Sequence, residues 1–398
     1  MFRRLETGLP IDPKFPSDLK ELGYFVNEND EIRNIENPKA YFQYFLTKND
    51  RINNLHREAM NGAIRNIVAE RLKNLGLDII RLPLEVKATE PNIPIFISKE
   101  IKSKKRILVI FYDEQQDIGI FSHRILLGKG GINQGSAVNL VKYVQSMCSS
   151  SSINNDDSIG IIIANTGQLR WWRRGKKAVS QMSWYALPSK SLVDSPYEFD
   201  PEKNTVPGNR NLAEHVEYIF NHVITSHTNP DSKLDIIGVS GGAVEVSVFL
   251  NIDENWQKWK SRLSAFASIA SYYSPKEITT KEFKNWTIVV GIFNTILILY
   301  IYIFIKRGRA YLISPEPCET FLAGPDGSED ISPRGLPTFS LGEPFYNENL
   351  LPLGFKTVID WFEEVAREPS YVNPSFFRKD DLEKDEVTNN ISTPYNKS

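Results

Sequence analysis

The chain has 398 residues, 41% of them hydrophobic and 24% charged, ordinary globular values that leave a sizeable core available. A formal charge of −2 and a pI near 6.3 exclude an electrostatic footprint for general nucleic-acid binding. Only Cys148 and Cys318 occur, without metal-ligand spacing, which excludes a disulfide framework and suits a reducing compartment. The opening Met1-Phe2-Arg3-Arg4-Leu5-Glu6 carries an acid, and Pro10 follows, where a secretion signal needs an apolar run.

In chain order, residues 1–50 read as a loop-rich lead-in with Pro10, Pro13 and Pro16. Asp50 is the expected cap of a long helix whose apolar face runs through Leu55, Met60, Ile64, Ile67, Val68 and Leu72, with Gly76 as its stop. Strands are predicted over 93–97, 107–112, 159–164, 234–237, 263–270 and 309–314. Helices are predicted over 138–147, 214–223, from the glycines at 241–242 through Leu250, and over 357–366. Residues 169–210 read as a long irregular stretch with Trp171, Trp172 and Trp184. Strands alternating with helices imply βαβ units, hence an α/β fold with a mainly parallel sheet flanked by helices on both faces. The domain is expected over 51–366. From 367 to 398 the composition turns to Asp, Glu, Lys, Asn and Ser, a tail expected to be disordered.

The sharpest motif is Gly238-x-Ser240-x-Gly242, between a short apolar strand and a helix. This is the pattern of a nucleophile elbow, where glycines (Gly238, Gly241 and Gly242) allow a tight strand-to-helix turn and the helix N-terminus favours an oxyanion. An α/β-hydrolase places its triad in the order serine, acid, histidine. Acids follow Ser240 at Glu316, Glu319 and Asp326, but all five histidines, His56, His123, His215, His222 and His227, precede it. The strand over 107–112 is followed by Asp113-Glu114-Gln115-Gln116 rather than a His-Gly oxyanion loop. Ser240 is therefore expected to shape a scaffold. If the chain is an enzyme, the candidates are Ser240, Glu316 and, from a post-strand loop, His123. His215 and His222 can share a helix face and read as partly buried or surface histidines, a relocated base being the alternative. No metal constellation and no cofactor motif occurs: Gly128-Lys129-Gly130-Gly131 lacks the lysine–serine ending of a P-loop. The basic-aromatic run Arg170–Lys177 reads as a solvated loop edge with buried indoles; single-stranded nucleic-acid binding is its alternative.

Several stretches together resemble the Argonaute-binding protein 2 domain family, as found in fungi. They are Phe15-Pro16-x-x-Leu19-x-x-Leu22-Gly23-Tyr24, Arg57-Glu58-Ala59-Met60, Ala164-Asn165-Thr166-Gly167-Gln168, Val206-Pro207-Gly208-Asn209 and Glu214-His215-Val216-Glu217-Tyr218-Ile219-Phe220. The resemblance runs from about residue 10 to 366. It implies an α/β-hydrolase-like domain complexed with an Argonaute-type protein and other silencing-complex subunits. It also implies roles in small-RNA-guided silencing and histone H3 lysine 9 methylation, in the nucleus or cytoplasm. It implies no established activity, and no direct nucleic-acid contact is expected.

One segment departs from this plan. Residues 286–305 form a run of 20 without a charge, followed by Lys306, Arg307 and Arg309. Its length is that of a membrane span. It falls between two strands expected in one sheet, and an open sheet cannot cross lipid. The resemblance skips the run, and its residues are those AT-rich codons encode, as in a translated, unspliced intron. Two alternatives to the silencing-complex reading follow: a serine hydrolase using Ser240, and a membrane-anchored protein with a cytosolic domain.

Overall fold

The computed structural model describes residues 8–150, 158–193, 197–271, 277–287, 307–323 and 336–373. Its architecture follows from parity along the apolar strands. Leu108 and Ile110 belong to one core; Ile107, Val109 and Phe111 belong to another. Successive side chains of a strand point to opposite faces, so a strand apolar on both parities needs cover on both sides.

The lead-in contains a hairpin, β1 (Tyr24–Val26) with β2 (Ile32–Asn34), whose three-residue strands are too short for periodicity to register. Helix α1 (Asp50–Asn74) is capped by Asn49, whose side chain accepts the Arg51 and Ile52 N–H groups; Asp50, the expected cap, is the first helical residue. Phe15 and Phe42 close over His56 of α1, with centroids 5.3 and 5.0 Å away. Gly76, at φ +84°, ends the connection, and β3 (Leu77–Leu82), β4 (Ile93–Ser98) and β5 (Arg106–Phe111) follow. Two single turns, α2 (His123–Leu126) and α3 (Gly131–Gln134), precede α4 (Ala137–Ser150) and β6 (Ile159–Ile163). The irregular stretch holds a second hairpin, β7 (Arg170–Trp172) with β8 (Lys177–Val179), and α5 (Gln181–Tyr185).

Helix α6 (Leu212–Tyr218) continues through a π turn at Ile219–Ile224 into α7 (Thr225–His227). Then come β9 (Lys233–Val239), α8 (Gly241–Leu250), α9 (Asp253–Trp259), β10 (Leu263–Ile269) and α10 (Lys281–Thr287). The last elements are β11 (Gly308–Leu312), β12 (Phe321–Ala323), β13 (Thr338–Ser340) and α11 (Leu350–Arg367). Helix α11 begins seven residues before the predicted start at 357, because Pro352 falls in the first turn, where its missing N–H is tolerated.

The large sheet has the order β12-β13-β11-β10-β9-β5-β6-β4-β3. From β6 to β13 all neighbours are parallel, while β3, β4 and β12 pair antiparallel at the margins. Helices α1, α4 and α11 cover one face through Met60, Ile64, Val141 and Phe362. Helices α6, α8 and α9 cover the other through Val216, Val246 and Trp259. Each such side chain contributes roughly 1.5–3 kcal/mol by leaving water. The order, the antiparallel margins and the turn after β9 make this an α/β-hydrolase-like fold.

Order continues past the expected boundary at 367: Tyr371 is buried, its hydroxyl donating to Asn373 Oδ1 and accepting from Trp361 Nε1. Asn373 in turn donates to the Gly308 carbonyl. Residues 374–398 lie outside the described residues.

Of the apolar run, Trp286 and Thr287 close α10 and 288–305 lie outside the described residues, so the membrane-span and intron readings both fall there. Among the described residues no helix is long and apolar enough to cross a membrane. The two flanks meet: the Arg307 N–H donates to the Trp286 carbonyl at 3.2 Å, and β10 and β11 are parallel neighbours. Replacing residues 288–306 by a two-glycine linker is therefore expected to leave cooperative unfolding, with a thermal midpoint within about 4 °C of the parent. Loss of the folded protein on that replacement would show the segment to be integral.

Candidate functional site

Strand β9 delivers Ser240 into α8 at φ +52° and ψ −125°, a conformation that residues other than glycine rarely adopt. The turn is clamped: the Ser240 N–H donates to the Ile269 carbonyl, and the Ser240 carbonyl accepts from Ala243 and Val244. Two glycines are dictated by close approach. A Cβ on Gly242 would lie 2.4 Å from the Phe111 carbonyl oxygen, and one on Gly238 would lie 2.5 Å from the Ala243 Cα. The elbow geometry legible in the Gly-x-Ser-x-Gly pattern is thus present in full.

What faces the elbow is a pair of carboxyl groups, Glu114 and Asp113. The Gly241 N–H, which follows the serine and is the group that would stabilise an oxyanion, donates to Glu114 Oε2 at 3.0 Å. A carboxylate therefore occupies the place where negative charge would have to develop, the reverse of a preorganised oxyanion hole. Beside it, burial pushes the Asp113 carboxyl up, the Gln115 N–H works against that rise, Glu114 adds to it, and a hydrogen bond from Ser240 opposes it.

The other candidate residues stand apart from Ser240 in their hydrogen bonds. Glu316 follows β11 as expected and is exposed; its main chain is fixed by Ser314 Oγ, which accepts its N–H, and by Ser340 Oγ, which donates to its carbonyl. Asp326 lies outside the described residues. After β13, where the chain order asks for histidine, stand Glu343 and Glu348. Burial works to raise the Glu343 carboxyl, but the Phe345 N–H, the Asn349 amide and the Tyr346 N–H hold it below its ordinary range. His123 is bound to Gln116 Oε1 through Nδ1 at 2.9 Å. Among the described residues no hydrogen bond joins Ser240, Glu316 and His123.

His215 is a core residue. Its Nε2 accepts the Asn165 N–H at 3.1 Å, so Nδ1 carries the proton and donates to Asn209 Oδ1 at 2.7 Å. Burial alone pushes its pKa down to about 3. The Asn165 side chain reaches the Pro94 carbonyl, and Asn165 Oδ1 accepts the Gln168 N–H. Gln168 Oε1 accepts the Ile118 N–H. Three separated sequence motifs thus form one buried network that ties the loop after β6 to α6 and to the loop after β5. Gly167 within it is forced, since a Cβ there would lie 1.8 Å from the Gln116 carbonyl oxygen.

The model of the Arb2 domain matches residues 15–290, a span that contains all three motifs. The chain belongs to the Arb2 domain family. The match ends within the apolar run, in keeping with that run's departure from the rest of the plan. No curated protein matches this Arb2 chain in sequence. Among solved structures it is similar to a lipase/esterase from Lactobacillus plantarum at 9% identity, covering 72% of this chain and 97% of that one, with a TM-score of 0.28. An IroE-like serine hydrolase from Shewanella oneidensis gives 11% identity over 79% and 87% of the two chains and a TM-score of 0.32. These likenesses carry no inference about chemistry, and the fold assignment rests on strand order and elbow.

The other motifs of the Arb2 chain take places away from the elbow strand. Trp171 is buried in the β7–β8 hairpin, Trp172 is half-buried, and Arg173 and Arg174 are exposed. In the Gly128–Gly131 loop, Gly131 sits at φ +74°, and a Cβ there would lie 2.5 Å from the Asp30 carbonyl oxygen. That loop is a dock for the N-terminal hairpin: Asp30 also accepts the Asn133 N–H and pairs with Arg71. Among the described residues no group of three or more His, Cys, Asp and Glu is placed to hold a metal ion.

Proposed function

We propose that this Arb2 domain is a non-catalytic, protein-binding subunit of an Argonaute-containing silencing complex, acting in the nucleus or cytoplasm in small-RNA-guided silencing and histone H3 lysine 9 methylation. The observation that carries the non-catalytic half is the Glu114 carboxylate on the Gly241 N–H. Family membership supports the Argonaute half. A working serine of the triad type needs a histidine base worth ~10²–10⁴ in rate and an oxyanion donor worth a further ~10²–10³. Among the described residues no histidine is hydrogen-bonded to Ser240, whose hydroxyl meets Asp113 instead, and the Gly241 N–H is held by Glu114.

The test has two arms. Affinity purification of the full chain from its own cells is expected to co-elute an Argonaute-type protein, and failure to do so with an otherwise intact complex would remove that half. A fluorophosphonate probe is expected to label neither the parent nor Glu114→Ala. Stoichiometric labelling abolished by Ser240→Ala would establish a serine hydrolase instead.

A further inference from the structure

A cleft of about 480 Å³ opens beside the elbow, lined by α1, the loop after β5, α2 and the residues before α5 and α11. Phe42, Tyr44, Leu127 and Met182 give it an apolar wall. Three polar atoms of its lining residues are buried without a partner among the described residues: His123 Nε2, Asn61 Oδ1 and Asp117 Oδ1. Buried polar groups are nearly always satisfied, so three together in one cleft need an explanation.

All three are acceptors. Gln116 donates its amide to Glu348 Oε2 and turns Oε1 to His123 Nδ1. His123 Nδ1 must therefore carry the proton, which leaves Nε2 a lone pair. Asp117 is 4% exposed, and its other oxygen, Oδ2, is held by Arg65 Nη1 at 2.5 Å. Burial pushes the His123 pKa down, with Asp117 acting against that, which keeps the imidazole neutral near pH 7. The two cationic residues of the lining are engaged on its walls: Arg57 lies over the Tyr44 ring, and Arg124 pairs with Glu348 and lies over Tyr346. Three unmet acceptors beside an apolar wall select a ligand that brings N–H groups on an apolar stem.

We propose that this cleft binds an N–H-rich cation, a guanidinium, amidinium or primary ammonium group, through His123 Nε2, Asn61 Oδ1 and Asp117 Oδ1, with its stem along Phe42, Tyr44 and Met182. The site is separate from Ser240 and holds whether or not an Argonaute-type protein is the partner.

The test follows the His123 imidazole by NMR in the full chain labelled with ¹⁵N-histidine, its resonance assigned by His123→Phe. Benzamidine and benzylamine are the probes, benzoate the control. Titration with a cationic probe is expected to move the His123 Nε2 resonance toward the hydrogen-bonded position, saturably, while His215 stays put. A larger response to benzamidine assigns the planar fork, and to benzylamine the ammonium. Asn61→Leu and Asp117→Asn are each expected to weaken binding about tenfold or more; Asn61→Leu leaves the Arg65 pair intact, so it still reports if Asp117→Asn fails to fold. An Nε2 resonance indifferent to both cations, as for a lone pair satisfied by water, or an equal response to benzoate, overturns the proposal.

Discussion

Replacing His215 by glutamine is expected to cost about 2 kcal/mol of stability near pH 7.5 and almost nothing near pH 5. At the higher pH the neutral imidazole satisfies both the Asn165 N–H and the Asn209 carbonyl oxygen. Glutamine keeps one of these at best, leaving a buried group unsatisfied at about 1–3 kcal/mol. The pH term has the opposite source. The folded pKa of His215, about 3, lies below its ordinary value of 6.5. Its contribution is therefore complete above 6.5 and is lost as pH falls, by about 1.4 kcal/mol per unit. The parent gives up about 2 kcal/mol between 6.5 and 5 that the glutamine variant, with nothing to titrate at this position, keeps. His56 and His123, also pushed down by burial, and Asp113 and Asp235, pushed up, are common to both proteins and cancel. Urea unfolding of the pair at the two pH values checks this; parallel pH slopes would refute the buried, neutral assignment.

The second large effect is at Gly167. An alanine there places its Cβ 1.8 Å from a backbone oxygen, that of Gln116, so a loop rather than a flexible side chain must move. A loss of at least about 3 kcal/mol is expected. Gly8→Ala is the control, since nothing lies within 4 Å of its Cβ position, and it should stay within about 0.5 kcal/mol. The displaced loop also carries Glu114. A surviving Gly167→Ala protein should accordingly show altered hydrogen exchange at the Gly241 amide, an effect that a purely local clash would not produce.

Much of the architecture is legible without coordinates because it is written locally. The six residues of β5 are apolar at five successive positions, which only a doubly covered strand explains. The run of α1 from Leu55 to Leu72 keeps helical spacing throughout. Elements of three residues, such as β1, β2, β7 and β8, have no period to read, and the residues of β12 and β13 become strands only because a partner lies alongside. The glycines of the elbow were visible as a motif, and so was the order of Ser240 and the histidines. The Asp113-Glu114 sequence showed that an oxyanion loop was missing, but not that Glu114 turns back onto Gly241.

The sequence by itself determined the central strands of the large sheet, the elbow, and a chain in which no histidine follows Ser240, since each depends on neighbours along the backbone. The tertiary structure alone decided which groups meet: Glu114 with Gly241 across 127 residues, His215 with Asn165 across 50, and Asn61 in one cleft with Asp117 and His123. The physical reason is that the covalent chain constrains only nearby residues, whereas these meetings follow from the sheet order, which sets β5 between β6 and β9 and so brings the loops at their ends together.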